Sequence, residues 1–96
     1  MEIIADNQSN QELKNVSVSD GEKSFVFGVM GGNGEAGYGT AERLFGTKVP
    51  EKLMVTFETV DGKKFVREVS FPVDVPGRTL RFVISPDFVV TGKREK

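Results

Sequence analysis

Short runs in which apolar and polar residues alternate dominate this sequence. Within residues 79–85, the apolar side chains Leu80, Phe82 and Ile84 occupy every second position, and residues 13–18 follow the same rule. Because successive side chains of a β-strand point to opposite faces, a period of two predicts strands that are buried on one face. The alternation therefore restricts the chain to a β-rich fold.

Glycine, proline, aspartate and serine separate these runs and favour turns between them. In the first hairpin, Phe25, Phe27 and Val29 are expected to share a face. Residues 40–45 offer at most a short helical turn. We predict an all-β fold, a small antiparallel β-sandwich of immunoglobulin-like or related type. Its expected strands number about six, at 13–18, 24–30, two runs within 53–71, 79–85 and 88–90.

The chain is expected to form one domain, since its 96 residues suit a single small core. Residues 1–5 are too short for an intact signal peptide, and residues 6–12 are polar without periodicity. This predicts that residues 1–12 are a flexible polar leader, or a tether left after removal of a signal. The sandwich is assigned to residues 13–92 and a charged tail to residues 93–96. Pro72 and Pro76 predict that the chain around them crosses between sheets or forms an edge.

The hairpin within residues 53–71 has a register that side chains help to choose. A three-residue loop at 61–63 pairs Leu53 with Phe71 and Val55 with Val69, which gathers apolar groups on one face. A two-residue loop would instead set polar residues beside these apolar ones. We therefore predict the odd-length loop, with a glycine-assisted bulge.

Histidine and cysteine are both missing from the sequence. The chain thus lacks the usual general base near neutral pH, the commonest zinc ligand and any thiolate site. Asp61, Asp74 and Asp87 lie in or near glycine- and proline-containing turns, so together with Glu58 they are not expected to form an acid pair or a calcium site. We predict a protein without catalytic residues, cofactor or metal.

Charge and hydropathy narrow the choice of partners. Thirteen basic and fourteen acidic residues give a formal charge of -1, and the interior holds no strongly basic stretch. A nucleic-acid partner is therefore not expected. No apolar run approaches the roughly 20 residues of a membrane span. A protein partner is favoured, with the chain itself a monomer or a weak oligomer.

Glycines crowd residues 31–39, and residues 32–37 match the pattern Gly-x-Gly-x-x-Gly, with an acidic residue, Glu58, further on. A dinucleotide-binding loop has this spacing, but it also needs a long helix beginning at the motif and a parallel crossover after it. Further glycines and a proline interrupt any such helix. We interpret residues 31–46 as a long connecting loop, a class that is often functional.

The side chains of this loop with capacity for recognition are Asn33, Glu35, Tyr38 and Arg43, which we predict as partner-binding residues. Tyrosine offers both an apolar ring and a hydroxyl, a combination enriched at interfaces. The alternative is that Tyr38 and Phe45 fold back and close the open end of the sandwich.

Residues 29–33 with the glycines after them, then residues 49–57 and the hairpin that follows, resemble part of a group of small bacterial envelope lipoproteins. Some members are encoded beside secreted lipase effectors of the type VI system and act as their immunity proteins. The similarity spans residues 24–71. It implies a periplasmic, lipid-tethered binder in which residues 5–12 space the domain from the membrane, and it supplies no catalytic residue.

Three functions remain open at this point. The first is a non-enzymatic protein-binding domain, an inhibitor or immunity protein of the bacterial envelope, which uses the loop and an exposed strand edge. The second is a small-ligand or carbohydrate-binding module that uses the same loop. The third is an assembly subunit that pairs through strand edges. The expected location is periplasmic or envelope-associated, and a cytoplasmic one stays open.

Overall fold

The computed structural model describes residues 2–40, 51–72 and 79–95. Within these ranges the chain forms eight strands and no helix, so the all-β class is confirmed and the strand count of about six is wrong. The same ranges contain no helix with the length and hydropathy of a membrane span. The strands are β1 (Glu2–Asn7), β2 (Leu13–Ser19), β3 (Ser24–Met30), β4 (Glu35–Thr40), β5 (Lys52–Thr59), β6 (Lys64–Ser70), β7 (Thr79–Ile84) and β8 (Val90–Glu95).

The strands make two four-stranded sheets, which confirms the small β-sandwich. Sheet A has the order β4-β1-β7-β8, and sheet B has the order β3-β2-β5-β6. Neighbouring strands are antiparallel, as expected, except that β1 and β7 run parallel. A parallel pair cannot be joined by a tight turn, and here most of the chain separates its two strands.

One apolar core lies between the sheets. Leu80, Phe82 and Ile84 of β7 are fully buried in it, as the alternation predicted, and Val16 and Val18 of β2 face them from sheet B. Full burial of a side chain of this size contributes about 1.5–3 kcal/mol. The alternating runs therefore supply the inward faces of both sheets.

The prediction of a flexible polar leader over residues 1–12 is wrong where the structure describes it. Residues 2–7 form β1, which lies inside sheet A between β4 and β7. Ile3 and Ala5 are fully buried in the core. The prediction failed because a run of only three apolar residues, 3–5, was followed by polar residues that proved to be internal hydrogen-bonding groups.

The β5–β6 hairpin has the predicted kind of loop in a different position. Thr59 donates its backbone N–H to Lys63 O at 2.9 Å, and Gly62 N–H donates to Thr59 O at 3.0 Å. The loop is therefore residues 60–62, a three-residue turn closed by Gly62 with φ of 90°. The predicted loop at 61–63 is wrong by one residue, because the positive φ belongs at the third loop position and only glycine adopts it without strain.

This shift changes the partners across the hairpin. Leu53 lies opposite Val69 and Val55 lies opposite Arg67, rather than the predicted Phe71 and Val69. The parity of the register is unchanged, so the apolar side chains still share the inward face.

The β2–β3 hairpin is confirmed, with one departure. Phe25 and Phe27 pack against the core, but Val29 is 61% exposed instead of sharing their face. Gly28 has a φ of 89°, and the register shifts by one residue beside it. This β-bulge reverses the alternation, so that Met30 becomes the buried residue.

The charged tail predicted at 93–96 is wrong for residues 93–95, which belong to β8 and pair with β7. The chain between β6 and β7 passes from sheet B to sheet A, which confirms the predicted crossing. Residues 73–78, including Asp74, lie outside the described residues, as does the helical candidate beyond Thr40.

Candidate functional site

Asn7 is the centre of a buried polar network at the end of β1. Its side-chain Nδ2 donates to the carbonyl oxygens of Gln11 at 2.9 Å, Met30 at 3.2 Å and Gly31 at 3.0 Å. Its Oδ1 accepts bonds from the hydroxyl and the backbone N–H of Ser9 at 2.5 and 3.1 Å. Both side chains are fully buried, so these bonds satisfy groups that water does not reach.

The glycine-rich segment is held by this network as a short turn. Asn33 N–H donates to Ser9 O at 2.8 Å, and Gly34 N–H donates to Asn7 O at 2.7 Å. The connection from β3 to β4 is therefore residues 31–34, and the long loop predicted at 31–46 is wrong because a strand begins at Glu35. No helix follows the glycines within residues 35–40, which agrees with rejecting the dinucleotide-binding interpretation.

The structure brings three of the four predicted partner-binding residues to one edge of sheet A. Asn33 is exposed in the turn, Glu35 begins β4, and Tyr38 lies in the middle of β4. The Glu35 carboxylate accepts a bond from the N–H of Gly31, so it braces the turn. Arg43 lies outside the described residues.

Tyr38 is 62% exposed on the outer face of sheet A. The predicted alternative, in which this ring closes the end of the sandwich together with Phe45, is therefore wrong for Tyr38, and Phe45 lies outside the described residues. Its neighbours Gly37 and Gly39 face inward, where added Cβ atoms would lie 3.0 Å from the Phe27 ring and 3.1 Å from the Phe25 ring. The glycines leave space for β3 to pack, and the tyrosine points away from it.

The backbone hydrogen bonds of β1 show which backbone groups of β4 face β1 and which face outwards. Gln8 N–H donates to Ile84 O at 2.9 Å, and bonds of a parallel pair recur at every second residue, so Ile4 and Asp6 also direct their backbone groups towards β7. The residues between them, Ile3 and Ala5, then face β4.

The partners of Ile3 and Ala5 on β4 are Gly39 and Gly37. Those glycines therefore bond to β1, and the alternate residues Ala36, Tyr38 and Thr40 direct their N–H and C=O groups outwards. We call residues 36–40 the β4 edge. Among the described residues no strand pairs with it.

The other three edge strands carry features that discourage pairing. The bulge at Gly28 interrupts β3. Charged residues occupy β6 and β8: Lys64, Arg67 and Glu68, and Lys93, Arg94 and Glu95. Strand β4 begins with the charged Glu35, whose carboxylate is bonded to the turn, and the β4 edge at residues 36–40 contains no charged residue. Since natural sheets commonly protect their edges with charges and bulges, the β4 edge is the least protected of the four edges in the part of the chain that the structure describes.

Charged groups of the described residues form structural contacts. Arg81 donates to Glu95 at 2.7 Å and to Asp6 at 3.0 Å on the outer face of sheet A. These bonds raise the pKa of Arg81, and the bond to Glu95 has the larger effect. The described residues contain no group of acidic side chains placed to hold a metal ion.

Three aspartates stabilise turns. The pKa of Asp20 is lowered by backbone N–H groups, chiefly that of Lys23, whereas the Thr59 hydroxyl lowers the pKa of Asp61. The Ser85 hydroxyl lowers the pKa of Asp87. For Asp61 and Asp87 these bonds agree with the predicted structural role in turns.

Comparisons with known proteins bear on the fold alone. No family model matches the chain, and no curated protein does. A protein from Eubacterium rectale whose structure was solved by NMR is similar, with a TM-score of 0.68 and 21% sequence identity. The similarity covers 96% of this chain and 84% of that one. At this identity the similarity supports the sandwich fold and gives no information about function.

Proposed function

We propose that this protein is a non-enzymatic protein-binding domain that captures an extended segment of its partner along the β4 edge. The observation that carries the proposal is the combination of an exposed tyrosine, Tyr38, with an uncharged strand edge whose outward backbone groups pair with no strand among residues 2–40, 51–72 and 79–95. An added strand would satisfy the N–H and C=O groups of Ala36, Tyr38 and Thr40.

Side chains of the same edge support recognition. Tyrosine is among the residues that contribute most to binding when an interface covers them. Tyr38 lies opposite Ile4, which is almost fully buried, so the ring stands beside a packed surface. A partner strand with an apolar side chain next to Tyr38 would extend that surface.

The role of the partner rests on the resemblance to envelope lipoproteins. It suggests an immunity protein or inhibitor, located in the periplasm or on the envelope, whose partner is a secreted effector. Fractionation tests this part: the partner is expected in the secreted or periplasmic fraction of the source organism, and a cytosolic partner would contradict it.

Capture experiments with two variants test the binding mode. Ala36→Pro removes an N–H that points outwards, so β4 should keep its bonds to β1, and Tyr38→Ala removes the anchor. Val89→Ala, which truncates another exposed apolar residue, is the control. With circular dichroism confirming the fold, proteins cross-linked to the wild type should be lost from both variants and kept by the control. An unchanged set of captured proteins would refute the proposal.

A further inference from the structure

We propose a second binding site, on the outer face of sheet B, for a neutral polyhydroxylated molecule the size of one sugar ring. This site is separate from the β4 edge, which belongs to sheet A. A groove of about 260 Å³ lies there. We call it the sheet B groove, and it is lined by Asn15, Ser17, Val26, Thr56, Glu58 and Lys64.

The floor of the sheet B groove is formed by two hydroxyls. Ser17 and Thr56 lie directly opposite each other on β2 and β5. Both are half-buried, and within the described parts of the chain neither hydroxyl has a hydrogen-bond partner. Each hydroxyl donates one bond and accepts others, so the pair can bond to adjacent hydroxyls of a ligand.

One end of the groove is polar and fixed. Asn15 has a φ of 51°, beside a shift in the pairing of β2 with β5, and its Nδ2 donates to Glu58 Oε2. Lys64 Nζ lies 3.8 Å from Glu58 Oε1. The Glu58 side chain is only 19% exposed. Asn15 of β2 and Lys64 of β6 both contact its carboxylate and hold it in place. The side-chain amide oxygen of Asn15 and the exposed ammonium of Lys64 remain available to a ligand.

The charge of the site selects a neutral ligand. Glu58 and Lys64 are the charged residues lining the groove, and they neutralise each other. An anion would meet the Glu58 carboxylate, and a cation would meet Lys64. Hydroxyls, an amide and a balanced ion pair are complementary to a molecule with many donors and acceptors and no net charge.

Size and wall chemistry define the ligand further. Val26, which is 61% exposed, lines the groove and flanks Ser17. Its side chain provides apolar contact for the C–H groups of a ring. Pockets for drug-sized ligands measure roughly 300–1,000 Å³, so a groove of about 260 Å³ fits one ring rather than an oligosaccharide.

Amide chemical shifts of the ¹⁵N-labelled full chain test this inference, with D-glucose, D-galactose and D-mannose as probes. At least one hexose should give saturable shifts at residues 15–17 and 56–58, with a dissociation constant on the order of millimolar. Thr56→Val, which keeps the shape of the side chain, should weaken binding about tenfold. Thr91→Val, an exposed change on β8 of sheet A, should leave it unaltered.

Three results would overturn the inference. These are hexose titrations without saturable shifts, shifts confined to residues outside the groove, or binding only of the charged analogues glucosamine or glucuronate. Ser17→Ala is a second variant for the case that Thr56→Val does not fold. It removes the facing hydroxyl with a smaller change in packing and should also weaken hexose binding. The hexose titrations do not depend on the β4 edge. Their result should be the same whether or not the β4 edge variants lose partner capture.

Discussion

The side-chain amide of Asn7 donates a hydrogen bond to the carbonyl oxygen of Gly31 across 3.0 Å. This bond joins the end of β1 to the turn that precedes β4, and the amide also reaches Met30 and Gln11. The position of Tyr38 therefore depends on a residue from the N-terminal segment. The β4 edge is presented by a turn that a buried asparagine organises.

Replacing Asn7 by alanine should destabilise the protein strongly. The carbonyl groups of Gln11, Met30 and Gly31 and the Ser9 hydroxyl would each lose a hydrogen bond, and the bonds that involve Met30 and Ser9 lie in surroundings that exclude water. We expect the free energy of unfolding, measured with urea, to fall by about 3 kcal/mol. Asn10→Ala, an exposed change in the same segment, should cost no more than about 0.5 kcal/mol. Equal small effects would show that Asn7 does not organise the turn.

Gly32 should be less tolerant of alanine than its neighbour Gly31. A Cβ at Gly32 would lie 2.8 Å from both Ser9 O and Gln11 N, which are backbone atoms of the ordered turn. At Gly31 the close atom is the flexible Glu35 carboxylate, which can move. We expect Gly32→Ala to lower the melting temperature, at a cost of about 1–3 kcal/mol, and Gly31→Ala to cost less. The reverse order would contradict the described packing of this turn.

Strand β1 should behave as core rather than as a leader. Ile3→Ala would leave a cavity among fully buried neighbours and cost about 2–5 kcal/mol, whereas Glu2→Ala on the exposed side should be nearly neutral. Hydrogen exchange offers a second measurement. The backbone amides of Ile3 and Ala5 should exchange as slowly as those of Phe82, and rapid exchange there would mean that β1 frays independently of the core.

Acid should destabilise the fold through its turns. The pKa values of Asp20, Asp61 and Asp87 are lowered in the folded state below 3.8, so the unfolded chain binds protons more readily. Their contribution is fully present above about pH 4 and is lost as the pH falls through the lowered values. Urea unfolding between pH 6 and pH 2 should show a smaller loss in the triple Asp→Asn variant than in the wild type.

The sequence predicted the parts of this fold that local pattern controls. The alternation of Leu80, Phe82 and Ile84 identified an inward face, and the Asp61-Gly62 pair identified a turn. The exact loop was missed because two registers of the same parity bury nearly the same apolar residues, and the choice between them depends on where Gly62 adopts its positive φ.

Features that depend on distant partners were not predicted. The polar composition of residues 6–12 predicts a solvated leader because polar residues usually face water, yet Asn7 and Ser9 are buried against backbone groups of another turn. Gly37 and Gly39 appeared to belong to a loop because glycine is rare in strands. Their absent side chains make room for Phe25 and Phe27, which only the packing of the two sheets explains.

The candidate site was predicted in part. Asn33, Glu35 and Tyr38 do lie along one edge of sheet A, but the Glu35 carboxylate is bonded to the N–H of Gly31 in the turn. The sheet B groove was missed, since Ser17 and Thr56 fit the ordinary pattern of outward polar residues on a half-buried strand. Their adjacency follows from the β2–β5 pairing, which single-sequence patterns do not specify.

The parallel pairing of β1 with β7 has a consequence for biosynthesis. A ribosome releases Ile3 before the strands of sheet B and its neighbour Leu80 after them. Both hairpins of sheet B precede Leu80 in the chain, so they are complete before β1 gains its parallel neighbour. A nascent chain stalled before residue 79 would therefore expose one side of β1, and such chains should be the species that chaperones retain and proteases remove.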